Sequence, residues 1–228
     1  MQEPFPESVV ILGAAGGGRL AYWILQETYP GTRVVFVDDG MEQNFLVLDG
    51  AEYPILHEWN FESLQKAGTE DFRYFMVSCT YPRVKKALVT KALAAGLSPA
   101  PSVIHPQASL VGRPTITVGR GGSIHPKAVI LNDTVIGDYT FISAGAQIGH
   151  DCIIGDFASI NFGSLVLGYT HIKEGVATGS GSTVRDHLVI APWVQTGMQC
   201  CVAKSITEEG ITVAGVPARP MVKRTPSG

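Results

Sequence analysis

His150 stands in the run Ile148-Gly149-His150-Asp151-Cys152, an imidazole with a carboxylate beside it and small side chains around it. A carboxylate that accepts a hydrogen bond from one ring nitrogen fixes the tautomer. The other nitrogen is then free to take a proton, as a general base must. Neighbouring residues of an extended strand point to opposite faces, so Asp151 reaches the ring only where a corner bends the chain. The other histidines carry weaker signals. His105 and His125 occupy matching Ile-His-Pro corners and read as structural or solvent-facing. His171 and His187 suit solvent positions, and His57 lies in a loop beside Glu58 and Trp59. His125, His150 and His171 are unevenly spaced, which does not suit a shared metal, and no metal is expected.

A second chemical device lies near the start. Val9-Val10-Ile11-Leu12 runs into Gly13-Ala14-Ala15-Gly16-Gly17-Gly18 and then into a helical stretch, Arg19 to Tyr29. A strand, a glycine turn and a helix present free N–H groups and the positive end of a dipole to a phosphate. Gly13, Ala14, Gly16, Gly17 and Gly18 are therefore candidate substrate-binding residues, although glycines can equally serve only a tight turn. Asp38 and Asp39 end the second strand run, Val34 to Val37, where a ribose acceptor of NAD would sit. Only three strand runs precede residue 98, half of a dinucleotide fold. A nucleotide diphosphate, held as part of a nucleotide sugar, is the preferred ligand. Ser78, closing the third strand run, and Arg83 complete the substrate-binding candidates.

These residues need elements to position them. From Val118 to Val202, Val, Ile or Thr recurs at every sixth residue, and four residues after most of these sits a small side chain such as Ala128, Thr134, Ala146 or Ser164. Neither a helical nor a strand period produces this. A chain of short strands and corners around one interior does, so the spacing predicts a parallel β-helix. Ile104, Leu110 and Ile116 keep the step before two extra residues reset it, which predicts a bulge at a coil edge. Ahead of the repeat, strands alternate with helices at Arg19 to Tyr29, around Phe61 to Ala67 and at Arg83 to Ala95, which predicts a parallel sheet with crossovers. Ser98-Pro99-Ala100-Pro101 reads as a stiff linker. The expected division is residues 1–98, a Rossmann-like nucleotide-sugar domain, and residues 99–228, a β-helix with a tail.

Composition narrows the classes. The 228 residues carry 17 basic and 20 acidic side chains, so no nucleic-acid or anionic-membrane footprint is present. No apolar run approaches a membrane span. Four cysteines without metal-type spacing, and no basic region before an apolar stretch at the N-terminus, suggest a reduced, cytoplasmic protein.

The glycine loop, Val37-Asp38-Asp39, the Ile-His-Pro corner, Gly149-His150-Asp151-Cys152 and Gly215-Val216-Pro217-Ala218-Arg219 together resemble the bacterial sugar O-/N-acetyltransferases of the sialic-acid and bacillosamine type, in the hexapeptide-repeat superfamily. The resemblance covers roughly residues 8 to 220. It implies a half-Rossmann βαβαβ domain followed by a left-handed β-helix, a homotrimer with active sites between subunits, and acetyl-CoA lying along the coils. It places His150 as base with Asp151 behind it, and Ser159, Gly168, Gly197, Lys204 and Arg219 toward acetyl-CoA. Gly168 N–H is the implied oxyanion donor, and Lys223 and Arg224 are further candidates for the CoA phosphates. It implies a UDP-, GDP- or dTDP-linked amino sugar in the N-terminal domain. Relatives often carry Gly-Asn where this chain has Ser78-Cys79. The expected reaction is N-acetylation of such a sugar at C4. O-acetylation of sialic acid or a related hydroxyl, and a non-catalytic scaffold, are the alternatives.

Overall fold

The computed structural model describes residues 4–58 and 71–221. The helix expected around Phe61 to Ala67, Trp59, Lys223 and Arg224 lie outside the described residues.

The N-terminal part is a sheet in the order β3-β4-β2-β1-β5-β6, formed by β1 (Ser8–Leu12), β2 (Arg33–Val37), β3 (Phe45–Leu48), β4 (Ala51–Leu56), β5 (Tyr74–Val77) and β6 (Ser98–Pro99). The three predicted strands are its parallel centre, with β1 between β2 and β5. The expectation of three strands is corrected to six. β3 and β4 form an antiparallel hairpin where a loop was expected, joined through Asp49-Gly50 with both residues at positive φ. An Asp-Gly pair between apolar runs is a hairpin signal legible in the sequence. The residues taken as a linker are also structural: Ser98–Pro99 pairs with β5, and Pro99 O accepts from the Arg120 guanidinium.

Helix α1 (Gly16–Thr28) covers one face of the sheet, packing Ala21, Tyr22 and Leu25 on Val9, Ile11 and Phe36. Helix α2 (Pro82–Ala94) covers the other, packing Val89 and Ala92 on Val10, Val35 and Phe75. α1 begins three residues before the predicted start. The last three glycines of the run thus form its first turn. A Cβ on Gly17 would lie 2.4 Å from Ser78 O, and one on Gly18 would lie 2.0 Å from Gly13 O. Only bare backbone lets α1 sit this close to the strand ends.

From Val103 the chain winds as a parallel β-solenoid with three flat faces, in register at steps of eighteen residues. Face A carries Phe141–Ile142 and Ser159–Ile160, face B Gln147–Ile148 and Leu165–Val166, and face C Ile153–Ile154 and His171–Ile172. The periodic residues fill the interior: Ile124, Ile142, Ile160, Ile172 and Ile190 are fully buried. Each such side chain contributes roughly 1.5–3 kcal/mol. The small residues four positions later are buried at the corners, where Thr134 and Ser164 hydroxyls donate to Gly149 O and Gly179 O of the next coil. Thr178, one of two exceptions to the aliphatic column with Thr196, is satisfied inside by Ser164 Oγ and Asn161 N–H, each at 3.0 Å. Where the step slips and a bulge at a coil edge was expected, the chain forms a short 3-10 turn, Arg113–Thr115.

A further period is present that the apolar spacing did not reveal. Every sixth residue from Gly121 to Gln199 has positive φ, between 52° and 72°. These residues make the corners, and nine of them are not glycine, including Asp151, Phe157, Tyr169 and Trp193. A left-handed L-residue costs roughly 1–2 kcal/mol. Backbone bonds to the neighbouring coil offset that cost, as where Asp151 N–H donates to Asn132 O at 3.1 Å.

Candidate active site

His150 lies on the corner between faces B and C, and its neighbour Asp151 has φ 54°. That left-handed turn swings the carboxylate round to the ring. His150 Nδ1 bonds Asp151 Oδ2 at 2.8 Å. A carboxylate only accepts, so Nδ1 carries the proton and Nε2 keeps its lone pair. Gly168 lies one coil on, and a Cβ there would meet His150 Nε2 at 3.1 Å. The Tyr169 ring stands edge-on to the imidazole, centroids 5.1 Å apart, and is itself backed by His187, stacked at 4.7 Å. The imidazole is therefore held on three sides while 45% of its surface stays open to solvent. Among the described residues Gly168 N–H has no acceptor, which leaves a free donor one coil from His150. Cys152, directly after the pair, is a fully buried core residue whose thiol pKa is pushed up by burial.

The strand register carries this edge onward. Gln147, Leu165, Thr183 and Cys201 pair in sequence. His150, Gly168, Asp186 and Lys204, each three residues later, therefore follow one another along the same edge. At about 4.8 Å per coil, Lys204 stands about 14 Å from His150. There Lys204 and Arg219 line one cavity of about 280 Å³ with Ser205, Thr207 and Glu208. The other two residues assigned toward acetyl-CoA lie elsewhere. Gly197 is on the corner between faces A and B, stacked against Ala214. Ser159 is fully buried on face A, its Oγ taken by Lys85 Nζ at 3.1 Å.

The glycine loop opens into a larger cavity, about 520 Å³, lined by Gly13, Gly16, Gly17, Gly18, Asp38, Asp39, Ser78 and Cys79. Across from them stand Tyr81, Val84 and Leu88 at the start of α2, and Phe141 and Phe162 of the solenoid. No side chain caps the α1 N-terminus and its first turn, Gly16 to Gly18, lines the cavity and holds no acidic residue. Gly16 has open space where a Cβ would stand. Ser78 Oγ, in the wall, is buried and without a partner among the described residues. Asp38 is already engaged: Oδ2 accepts from Ala14 N–H at 2.7 Å and Oδ1 from Gly40 N–H at 2.9 Å. It shapes the loop instead of standing free for a ribose. Asp39 is paired with Lys91. Arg83 is turned away from the cavity, over the Trp193 ring at 5.0 Å.

Spacing thus brought together the glycines, Asp38, Asp39 and Ser78 in one cavity, and His150, Asp151 and Gly168 on one edge. The two groups are apart. The N-terminal sheet and its helices pack on face A and on the corner bearing Tyr139, Phe157 and Trp193. The corner of His150 is the vertex opposite face A. Sequence reasoning missed the far wall, Tyr81-Val84-Leu88, although its i, i+3, i+7 spacing marks one helical face. It also missed Lys85 and Tyr169, which no local pattern marks. Among the described residues no cluster of His, Cys, Asp or Glu gathers as a metal would need, and no helix is long and apolar enough to cross a membrane.

Comparison with known proteins gives the same picture. The family model for bacterial transferase hexapeptide (six repeats) matches residues 133–168. The acetyltransferase domain of PglB from Neisseria gonorrhoeae, solved alone and in complex with acetyl coenzyme A, is 26% identical. Its unliganded structure aligns over 94% of this chain and 100% of that one, with a TM-score of 0.79. PerB from Caulobacter crescentus, solved with CoA and GDP-perosamine, is 23% identical over 94% and 97% of the two chains, with a TM-score of 0.80. WeeI from Acinetobacter baumannii is 23% identical over 93% and 99%, with a TM-score of 0.77. The family resemblance read from the sequence is upheld by these matches.

Proposed function

We propose that this hexapeptide-repeat acyltransferase transfers an acetyl group from acetyl-CoA to the C4 amine of a nucleotide-linked amino-deoxy sugar. The observation that carries the reading is the His150–Asp151 bond, which leaves Nε2 as an open base beside the free Gly168 N–H. The sugar amine attacks the thioester carbonyl and the C–N bond forms. His150 Nε2 takes the amine proton, and Asp151 stabilises the imidazolium. Gly168 N–H donates to the tetrahedral oxyanion. The C–S bond then breaks, and the imidazolium returns the proton to the leaving CoA thiolate. The PglB domain, similar over its whole length, binds acetyl coenzyme A, and the edge from His150 to Lys204 offers the pantetheine arm a straight track to a basic end with Arg219.

The cavity at the glycine loop takes the nucleotide diphosphate on the α1 N-terminus, with Ser78 Oγ as one donor. PerB was solved with a GDP-linked sugar, which supports this ligand class. In this proposal residues 1–98 form the nucleotide-sugar domain and residues 99–228 the acyltransferase domain. Because cavity and base lie on opposite sides of one prism, the sugar of one chain meets the His150 of another. A left-handed solenoid assembled as a cytoplasmic homotrimer satisfies that requirement.

Turnover with acetyl-CoA against UDP-, GDP- and dTDP-linked 4-amino sugars and free sialic acid, followed by mass spectrometry of the acceptor, tests the reading. One acetyl gained on a nucleotide-linked amine is the expected result. Acetylation of sialic acid alone would replace it with the O-acetyl reaction.

A further inference from the structure

Lys85 is fully buried, yet it has no carboxylate partner among the described residues. Its ammonium donates to Ala158 O at 3.0 Å and Ser159 Oγ at 3.1 Å, both on the solenoid and both neutral. An ammonium has three donors, and no third bond is formed among the described residues. A desolvated charge without a counter-ion is costly, so burial favours the neutral amine.

Lys85 also stands directly behind the nucleotide cavity. Tyr81, Val84 and Leu88, from its own helix, form the cavity wall. Ser159, which it bonds, pairs in register with Phe141 on the opposite wall. Cys79 lies in that wall, and a thiolate there would favour the charged amine. Lys86, next in the helix, points away to Glu174, Phe157 and Trp193. The described wall of the cavity contains two aspartates, one of them paired with Lys91, and neither lysine nor arginine. A nucleoside diphosphate entering there brings at least two negative charges, and among the described lining residues no lysine or arginine meets it.

We infer that Lys85 is the counter-charge of this cavity, acting through its wall, so that a nucleoside diphosphate binds together with a proton taken up by the Lys85 amine. The inference rests on the nucleotide-sugar reading and adds to it a coupling of affinity to pH. The physical sequence is simple. Burial lowers the amine to about 7, opposed by the Cys79 thiol. An adjacent diphosphate favours the charged form and raises it again. The charged form binds the ligand better, so affinity is full below the unliganded value and falls as pH rises through it. The slope approaches tenfold per pH unit, the limit for one proton. Uptake is about half a proton per site at pH 7 and close to one at pH 8.

Calorimetric titration of the full chain with UDP, GDP and dTDP tests this, in two buffers of different ionisation enthalpy and from about pH 6.5 to about pH 8.5. The expected result is net proton uptake by the wild type with affinity weakening above neutrality. Lys85→Met should bind more weakly with no uptake. Lys85→Arg, charged throughout, should also show no uptake. Tight binding of a diphosphate without proton uptake, or uptake undiminished in both variants, overturns the role of Lys85 while the nucleotide reading stands. Failure of all three diphosphates to bind overturns the nucleotide reading, and this inference with it. Where neither variant folds, the carbon-13 shift of the Lys85 ε-carbon decides. It should move from the neutral to the charged position when diphosphate is added at pH 8, and an unmoved shift overturns the proposal.

Discussion

The corner of His150 and the cavity of the glycine loop are built on opposite plans. The corner is local: the imidazole, the carboxylate and the unpaired Gly168 N–H come from adjacent residues and the next coil, and the ring stays half open to solvent. The cavity is assembled from α1, α2, three strand ends and two solenoid phenylalanines, and it keeps a buried amine behind its wall. On the proposed reading, a reacting group must stay open to an incoming ligand, and His150 sits on an open edge with its geometry fixed by the backbone. A binding group must hold charge out of water, where a single buried amine acts strongly because little solvent screens it.

The contrast can be broken most sharply at the base. His150→Ala should lower turnover about 10²- to 10⁴-fold while CoA affinity, measured by calorimetry, stays near that of the wild type. Near wild-type turnover would remove His150 from the role. Gly168→Ala tests whether the corner works by placement. Its N–H survives, but the new Cβ meets the imidazole at 3.0 Å and must displace it. A loss of about 10²-fold in kcat with little change in KM is expected. An active variant would show that the ring tolerates displacement.

At the cavity, Gly17→Ala presses a Cβ into the Ser78 carbonyl, a backbone group that cannot move aside cheaply. Thermal unfolding should show about 1–3 kcal/mol of destabilisation, with weaker diphosphate binding and an unchanged His150 titration by NMR. A further test concerns Lys85 and the pH dependence of stability. Its folded value, about 7, lies below the unfolded 10.5, so between these the unfolded chain binds the extra proton. Stability from this group is therefore present above about pH 10 and lost as pH falls through 7. The unfolding midpoint of the wild type should rise from pH 7 to pH 10 relative to that of Lys85→Met, and parallel curves would show that the amine is not desolvated as described.

Much of this was legible in advance because the solenoid repeats. A step of six dictates an interior column, and Ile142, Ile160 and Ile172 occupy it as the spacing required. The neighbours His150 and Asp151 were legible as a pair for the same reason, since their corner recurs every coil. The positive-φ residues of those corners were not, because Asp151, Tyr169 and Trp193 share no side-chain property that would mark a conformation. In the N-terminal domain the parallel centre was legible from its apolar runs, whereas the β3–β4 hairpin passed as a loop despite its Asp-Gly turn.

By itself, then, the sequence determined the repeating prism, the phosphate-type loop and the neighbouring pair His150 and Asp151, because each depends on residue type and short-range spacing. The tertiary structure alone decided that the carboxylate turns onto the ring, that Asp38 is spent on the loop and Arg83 on Trp193, that Lys85 is buried against a distant strand, and that cavity and base occupy opposite sides of the prism. Those facts depend on which distant backbone a side chain meets and on how much water is left beside it, and no local pattern of residues encodes either.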